Sequence, residues 1–192
     1  MVPLYWLWLA LTASLGPDPG KELVDRLGQG ALVMLLLCLS MTPLRRLTGW
    51  SGWMACRRQL GLWSACYGTL HATAYLAFLL GWEFARLATE IPERPYIFVG
   101  LAVLLGMVPL VATSTQAARR RLGSRWVRLH RGVYLLLALA LLHMLWVVRS
   151  DLGLWALYAA VGAGLLLMRL PPVASTLQRA PGLMTRFLKK GC

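Results

Sequence analysis

The sequence predicts an all-α integral membrane protein, a six-helix transmembrane bundle, on three observations. Of the 192 residues, 58% are hydrophobic and only 14% charged, with a mean hydropathy of +0.61, more apolar surface than a water-soluble domain of this length can hide. Long uncharged runs recur six times. The segments between the runs alternate in charge.

The runs are 2–16, 28–44, 60–82, 96–118, 132–148 and 152–168, each near the roughly 20 residues that cross a hydrocarbon layer about 30 Å thick. Their density of Leu, Ala and Met fits helices, which satisfy their own backbone in lipid, and not the strict alternation of a barrel strand. The run 2–16 is short and has no basic flank, so it reads as a span, with a cleaved signal peptide as the alternative. Residues 1–170 form one transmembrane domain on this reading. After Pro171 and Pro172 comes a basic cytoplasmic tail, 171–192. Its weak apolar stripe of Leu177, Leu183, Met184, Phe187 and Leu188 suits either a surface helix on the inner leaflet or a disordered tail. No internal repeat or low-complexity tract stands out.

The loops fix the orientation. Those after the second, fourth and sixth runs are purely basic, from Arg45, Arg46, Arg57 and Arg58 through Arg119–Arg131 to the tail. The other three hold all seven acids. Fifteen of the twenty bases thus fall on one side, which the positive-inside rule makes the cytoplasm, with both termini there. In so apolar a chain the net charge of +13 points to the bilayer surface and not to nucleic acid. Cys38, Cys56, Cys66 and Cys192 share no short spacing, which excludes a zinc knuckle, a CxxC pair and a disulfide framework. Trp6, Trp8, Trp50, Trp53, Trp82, Trp126 and Trp155 read as an interfacial belt, and Thr113 and Ser114 as helix-packing residues.

The chain's three histidines, His71, His130 and His143, all lie in or beside predicted spans, where ionisable groups are expensive and usually functional. With no Cys, Asp or Glu near them, zinc is a poor fit, whereas haem needs one histidine from each of two facing helices. His71 lies 13 residues past Arg58 and His143 15 past Arg128, so both sit about 20 Å along helices that start from the same side. They can face each other across one iron, with haem held between helices three and five. His130 lies nearer the cytoplasm, at a level for a second haem but with no fourth histidine opposite, so a five-coordinate haem or a purely structural His130 stays open. Arg45, Arg58 and Arg131 could hold haem propionates, or snorkel to lipid headgroups.

Several stretches taken together resemble one family: Met41-Thr42-Pro43-Leu44-Arg45, Arg57 to Leu62 leading to Tyr67, His71 and Tyr75, Pro92-Glu93-Arg94-Pro95-Tyr96, Ala112-Thr113-Ser114, and Arg121 to Tyr134 ending at His143. The chain resembles, over roughly 23–169, the MsrQ family, also called YedZ, the haem-binding membrane subunits of a bacterial methionine sulfoxide reductase system. These are similar to ferric-reductase-like membrane domains, relatives of the NADPH oxidases. The resemblance implies two stacked haems on helices three and five, with His71 and His143 as the outer pair and His130 as an inner ligand. The inner ligand on helix three would fall at Arg57, where this sequence departs from the oxidase pattern. The resemblance also implies FMN, which no residue here locates beyond the Arg-rich inner loops.

The reading is then a haem b electron-transfer subunit of the bacterial inner membrane, one or two haems, not itself the catalytic subunit. By the resemblance its electrons go to a periplasmic molybdenum-containing methionine sulfoxide reductase subunit, and come from a cytoplasmic flavin reductase or the quinol pool. No dinucleotide-binding fingerprint is present, so a donor domain lies on another chain. A ferric-reductase or oxidase-like protein, a transporter with a histidine proton relay, and a non-redox assembly subunit are the rival readings.

Overall fold

The computed structural model describes residues 2–12, 16–148 and 152–170. Their regular structure is all helical, without strands. In chain order they form α1 (Val2–Leu11), α2 (Pro19–Thr48), α3 (Trp53–Ala74), which runs on as a π-helical turn over Tyr75–Leu79, α4 (Phe84–Glu93), α5 (Pro95–Ala112), α6 (Gln116–Leu122), α7 (Ser124–Arg131), α8 (Val133–Val147) and α9 (Leu152–Leu167). The tail 171–192, Arg149 and Asp151 lie outside the described residues.

Helix α2 is the organising rod. Asp18 starts it by accepting the Lys21 N–H at 3.0 Å, Pro19 occupies its first turn, and Gly49 ends it in the left-handed conformation at φ 72°, its N–H on the Arg45 carbonyl. That is the usual pairing of an Asx cap and N-terminal proline with a C-terminal glycine. The rod therefore begins nine residues before the expected run and includes Glu22 and Asp25. Those acids pair within the helix, Arg26 with Glu22 at 2.8 Å and Lys21 with Asp25 at 2.9 Å.

Helices α3, α8 and α9 pack on α2, and α5 packs on α8. At mid-height Leu32, Leu35, Leu36 and Leu39 of α2 meet Met107 of α5 and Val133, Leu136 and Leu137 of α8. A second cluster, Ala10, Leu23, Val24, Leu27, Tyr67 and Ala74, closes the end that carries the acidic loops. Outward faces are apolar as well: Leu101, Leu105 and Val108 of α5, Leu135 of α8 and Leu157 of α9 are exposed. A bundle oily on its outside belongs in hydrocarbon, not water.

Every one of the six expected runs contains a helix, but among the described residues three helices are long and apolar enough by themselves to cross a membrane: Pro19–Thr48, Pro95–Ala112 and the continuous rod Ser124–Val147. Helices α1 and α9 have 10 and 16 residues, and α3 carries Arg57, Arg58, Gln59 and His71. The expected fourth run 96–118 ends early, at Ala112. Thr115 then caps a separate short helix, accepting the Ala118 N–H at 3.2 Å. The acidic segment after α3, expected as a loop, contains the strongly amphipathic α4, the pattern of a helix lying along an interface.

Candidate functional site

Near the acidic end of the bundle, α3 and α8 bring His71 and His143 together. Their ring centroids are 6.1 Å apart and the ring planes meet at 89°. His71 Nδ1 lies 2.8 Å from the Val24 carbonyl of α2, and His143 Nδ1 lies 2.7 Å from the Tyr96 carbonyl of α5. A carbonyl can only accept, so Nδ1–H donates in both, and each neutral ring keeps its lone pair on Nε2. That is the arrangement by which metal-bound histidines are oriented and made more basic.

The spacing also fits. With a metal–imidazole bond of about 2.0 Å and a ring centre about 1.1 Å behind the nitrogen, one metal shared by two imidazoles sets their centroids about 6.2 Å apart. Among the described residues no cluster of three or more His, Cys, Asp or Glu could enclose an ion. A two-imidazole set with no third such ligand among the described residues suits a metal whose remaining ligands come from a macrocycle.

His130 is placed differently. At the basic end its Nε2 is 3.0 Å from Thr113 Oγ1, and the Thr113 hydroxyl donates to the Pro109 carbonyl at 2.6 Å. The hydroxyl proton is thus committed, and Nε2–H of His130 is the donor. The ring stacks on Trp126 with centroids 4.0 Å apart at 22°, while Trp126 Nε1 donates to the Thr113 carbonyl at 2.9 Å and Arg119 covers the outer face of the indole. Trp126 and Thr113, expected as a belt residue and a packing residue, here clamp the turn between α5 and α7.

Arg45, Arg58 and Arg131 are exposed, and their side chains make no hydrogen bond or ion pair among the described residues. At 1.5 Å per residue, Arg58 and Arg131 are also about 20 Å along their helices from His71 and His143, and Arg45 about 25 Å along α2 from Gly28 beside His71, too far to meet propionates of a group held there. The arginines that turn into the fold are their neighbours. Arg46 donates to the Met168 carbonyl at 3.2 Å. Arg169 donates to the Tyr134 hydroxyl and, at 2.6 Å, to the Leu39 carbonyl, tying the end of α9 to α8 and α2. Sequence reasoning missed Arg169 because its partners, a mid-helix carbonyl and a tyrosine hydroxyl, lie far away in the chain.

Above the histidine pair, Glu90 of α4 is buried. It accepts from the Tyr75 hydroxyl at 3.0 Å and from Arg86 Nε at 3.2 Å, with Arg94 3.8 Å away. Glu83 and Glu93 are exposed.

Two comparisons set the class and then the family. Residues 27–141 match the family described as "Ferric reductase like transmembrane component", so the bundle is a ferric-reductase-like membrane domain. The chain is 44% identical over 163 residues, 84% of its own length and 75% of the relative's, to the "Protein-methionine-sulfoxide reductase heme-binding subunit MsrQ" of Xanthomonas axonopodis pv. citri (strain 306). The chain belongs to the MsrQ family. No solved structure matches it.

Proposed function

We propose that this chain is the haem-binding membrane subunit of a methionine sulfoxide reductase system, with His71 and His143 as the axial ligands of a haem b. The observation that carries this is the pair of imidazoles 6.1 Å apart, each with Nδ1–H on a helical carbonyl. The name of the Xanthomonas relative, a haem-binding subunit, agrees with it. A bound haem supplies one-electron transfer. The protein's own residues do the rest: Val24 and Tyr96 fix the tautomer and tilt of the two rings, and Leu23, Leu27 and Ala74 pack with Val24 in an apolar cluster beside His71.

On this proposal the chain crosses the bacterial inner membrane six times with both termini in the cytoplasm, as the alternating loop charges require. The histidine pair then lies in the periplasmic half. Electrons from a cytoplasmic flavin reductase or the quinol pool leave there for a periplasmic molybdenum-containing reductase subunit. His130, whose Nε2–H already serves Thr113, is assigned to the fold and not to a second haem. Arg45, Arg58 and Arg131 are assigned to lipid headgroups, since their exposure at the basic end suits snorkelling. For FMN the described residues offer charge, as in the cleft of about 510 Å³ lined by Gln116, Arg119, Arg120 and Gly123, but no enclosed cradle for a flavin ring.

The test is an absorption spectrum of the chain purified in mild detergent, oxidised and reduced. A Soret band that shifts on reduction, with sharp visible bands of six-coordinate low-spin haem, is expected. A colourless protein after haem-supplemented expression would sink the proposal and move the transporter reading ahead.

A further inference from the structure

Two glycines repeat one relationship in the two halves of the bundle. A methyl group built on Gly28 of α2 would stand 2.9 Å from Nδ1 and 3.1 Å from Cε1 of His71, and one built on Gly100 of α5 would stand 2.8 Å from Cε1 and 2.9 Å from Nδ1 of His143. Real Cβ atoms do not come this close. In both halves the glycine is four residues after the carbonyl that the imidazole bonds, Val24 before Gly28 and Tyr96 before Gly100. In both, the carbonyl residue and the histidine are 47 positions apart.

The geometry has a physical reason. A carbonyl inside an α-helix already accepts the N–H of the residue four positions on, and the side chain at that position covers its second lone pair. Only without a Cβ there can an imidazole from a neighbouring helix lie flat enough to reach it. The two helical hairpins, α2 with α3 and α5 with α8, therefore use one device twice, although the sequence around the two glycines is otherwise dissimilar, with Gly28-Gln29-Gly30-Ala31 in one and Gly100-Leu101-Ala102-Val103 in the other.

We infer that Gly28 and Gly100 are positioning residues for the axial pair, each leaving open the space through which its histidine docks Nδ1–H on the carbonyl one turn earlier and so presents Nε2. The inference rests on the reading of His71 and His143 as ligands. A methyl at either position pushes the ring off its carbonyl, frees the tautomer and turns the ring plane. Losing the Nδ1–H bond makes the imidazole a weaker donor, which favours the reduced iron.

The test is made on the full chain in detergent with Gly28→Ala, Gly100→Ala and, as control, Gly164→Ala on α9, where a methyl meets nothing within 4 Å. Alanine is the better helix former, so a loss at 28 or 100 cannot be charged to a broken helix. The expected result for both is haem affinity weakened about tenfold or more, the usual scale for such supporting contacts. The haem that remains should have a raised midpoint potential and an altered low-spin ferric resonance, while Gly164→Ala matches the parent.

A double-mutant cycle decides the matter even where Gly28→Ala unfolds easily. In a His71→Ala background the ring is gone, and Gly28→Ala should no longer lower the helical melting temperature. An equal loss in both backgrounds overturns the inference, as does an unchanged potential and resonance in Gly28→Ala and Gly100→Ala. If His71→Ala itself keeps the parent spectrum, the ligand reading has failed instead, and the two failures are told apart by that variant.

Discussion

The planes of His71 and His143 stand at 89° to each other, and each ring is hydrogen-bonded to a carbonyl of its own neighbouring helix. His71 takes its tilt from Val24 and His143 from Tyr96, so the angle belongs to the crossing of two hairpins. With the rings kept perpendicular at an iron, the ferric haem should give a highly anisotropic low-spin resonance and not the rhombic pattern of parallel imidazoles. Electron paramagnetic resonance of the oxidised protein at low temperature checks this, and a rhombic spectrum would mean that the rings rotate when haem enters.

On the proposed ligation, removing either imidazole leaves an iron with one axial ligand. His71→Ala and His143→Ala should each lose most of the haem, read as the Soret absorbance per unit protein. His130→Ala should keep it, because that ring is spoken for by Thr113 and Trp126. Loss of haem in His130→Ala equal to that in His71→Ala would restore His130 as a ligand and call for a second haem at the basic end.

The histidine facing was legible in the sequence because depth along a helix is arithmetic: similar counts, 13 and 15 residues from basic flanks on the same side, put His71 and His143 near one level. The glycines were not, because a glycine in a membrane helix has many uses and only the structure shows what lies over it. The repeat of carbonyl, glycine and histidine escaped notice for the same reason, being spread over 47 residues with unrelated neighbours. The apolar runs located the helices. The extra helices arose where continuous hydrophobicity ends: α4 where the sequence turns to one-sided patterning at Phe84–Glu93, and α6 where the Thr115 cap starts a basic turn at Gln116–Leu122.

Thr113 holds the turn at the basic end through three contacts: its hydroxyl to Pro109, His130 to that hydroxyl, and Trp126 to its carbonyl. Thr113→Val keeps the shape and the carbonyl but deprives His130 Nε2–H of its acceptor. The expected cost is about 1–3 kcal/mol, the range for a polar group left unsatisfied, seen as a lower melting temperature of the helical signal in detergent. The haem spectrum should stay as in the parent, since the change lies where α5 ends and α7 packs, at the opposite end of the α7–α8 rod from His143. A changed spectrum would tie this end of the bundle to the metal.

Orientation is testable apart from chemistry. Reporter fusions after Arg46 and Arg121 should be active in the cytoplasm, and a fusion after Leu80 in the periplasm, following the loop charges. Reversing the charge bias, by Arg119→Glu, Arg120→Glu and Arg121→Glu together, should weaken or invert the signal of the fusion at 121. A single inverted loop in the parent chain would break the six-span scheme and leave the three helices that qualify on length and apolarity alone.

The acidic end separates two kinds of carboxylate that look alike in the sequence. Glu83 and Glu93 are exposed and Glu90 is buried against Tyr75, Arg86 and Arg94, so only the first two are free to steer a soluble partner toward the histidine pair. Glu83→Gln with Glu93→Gln should slow reoxidation of the reduced chain by a periplasmic reductase given methionine sulfoxide, and flatten its dependence on salt, with the melting temperature unchanged. Glu90→Gln keeps the shape but weakens two charge-assisted bonds, and should instead loosen α4 from the π-helical turn at Tyr75, costing about 1–3 kcal/mol. Stopped-flow rates at several salt concentrations, set beside thermal melts of the same variants, distinguish the two roles. If Glu83→Gln with Glu93→Gln leaves rate and salt dependence untouched, the partner does not dock at this end. Reoxidation equally fast without the sulfoxide would mean that electrons leak to oxygen, and the oxidase-like reading would then account better for the exposed acidic face.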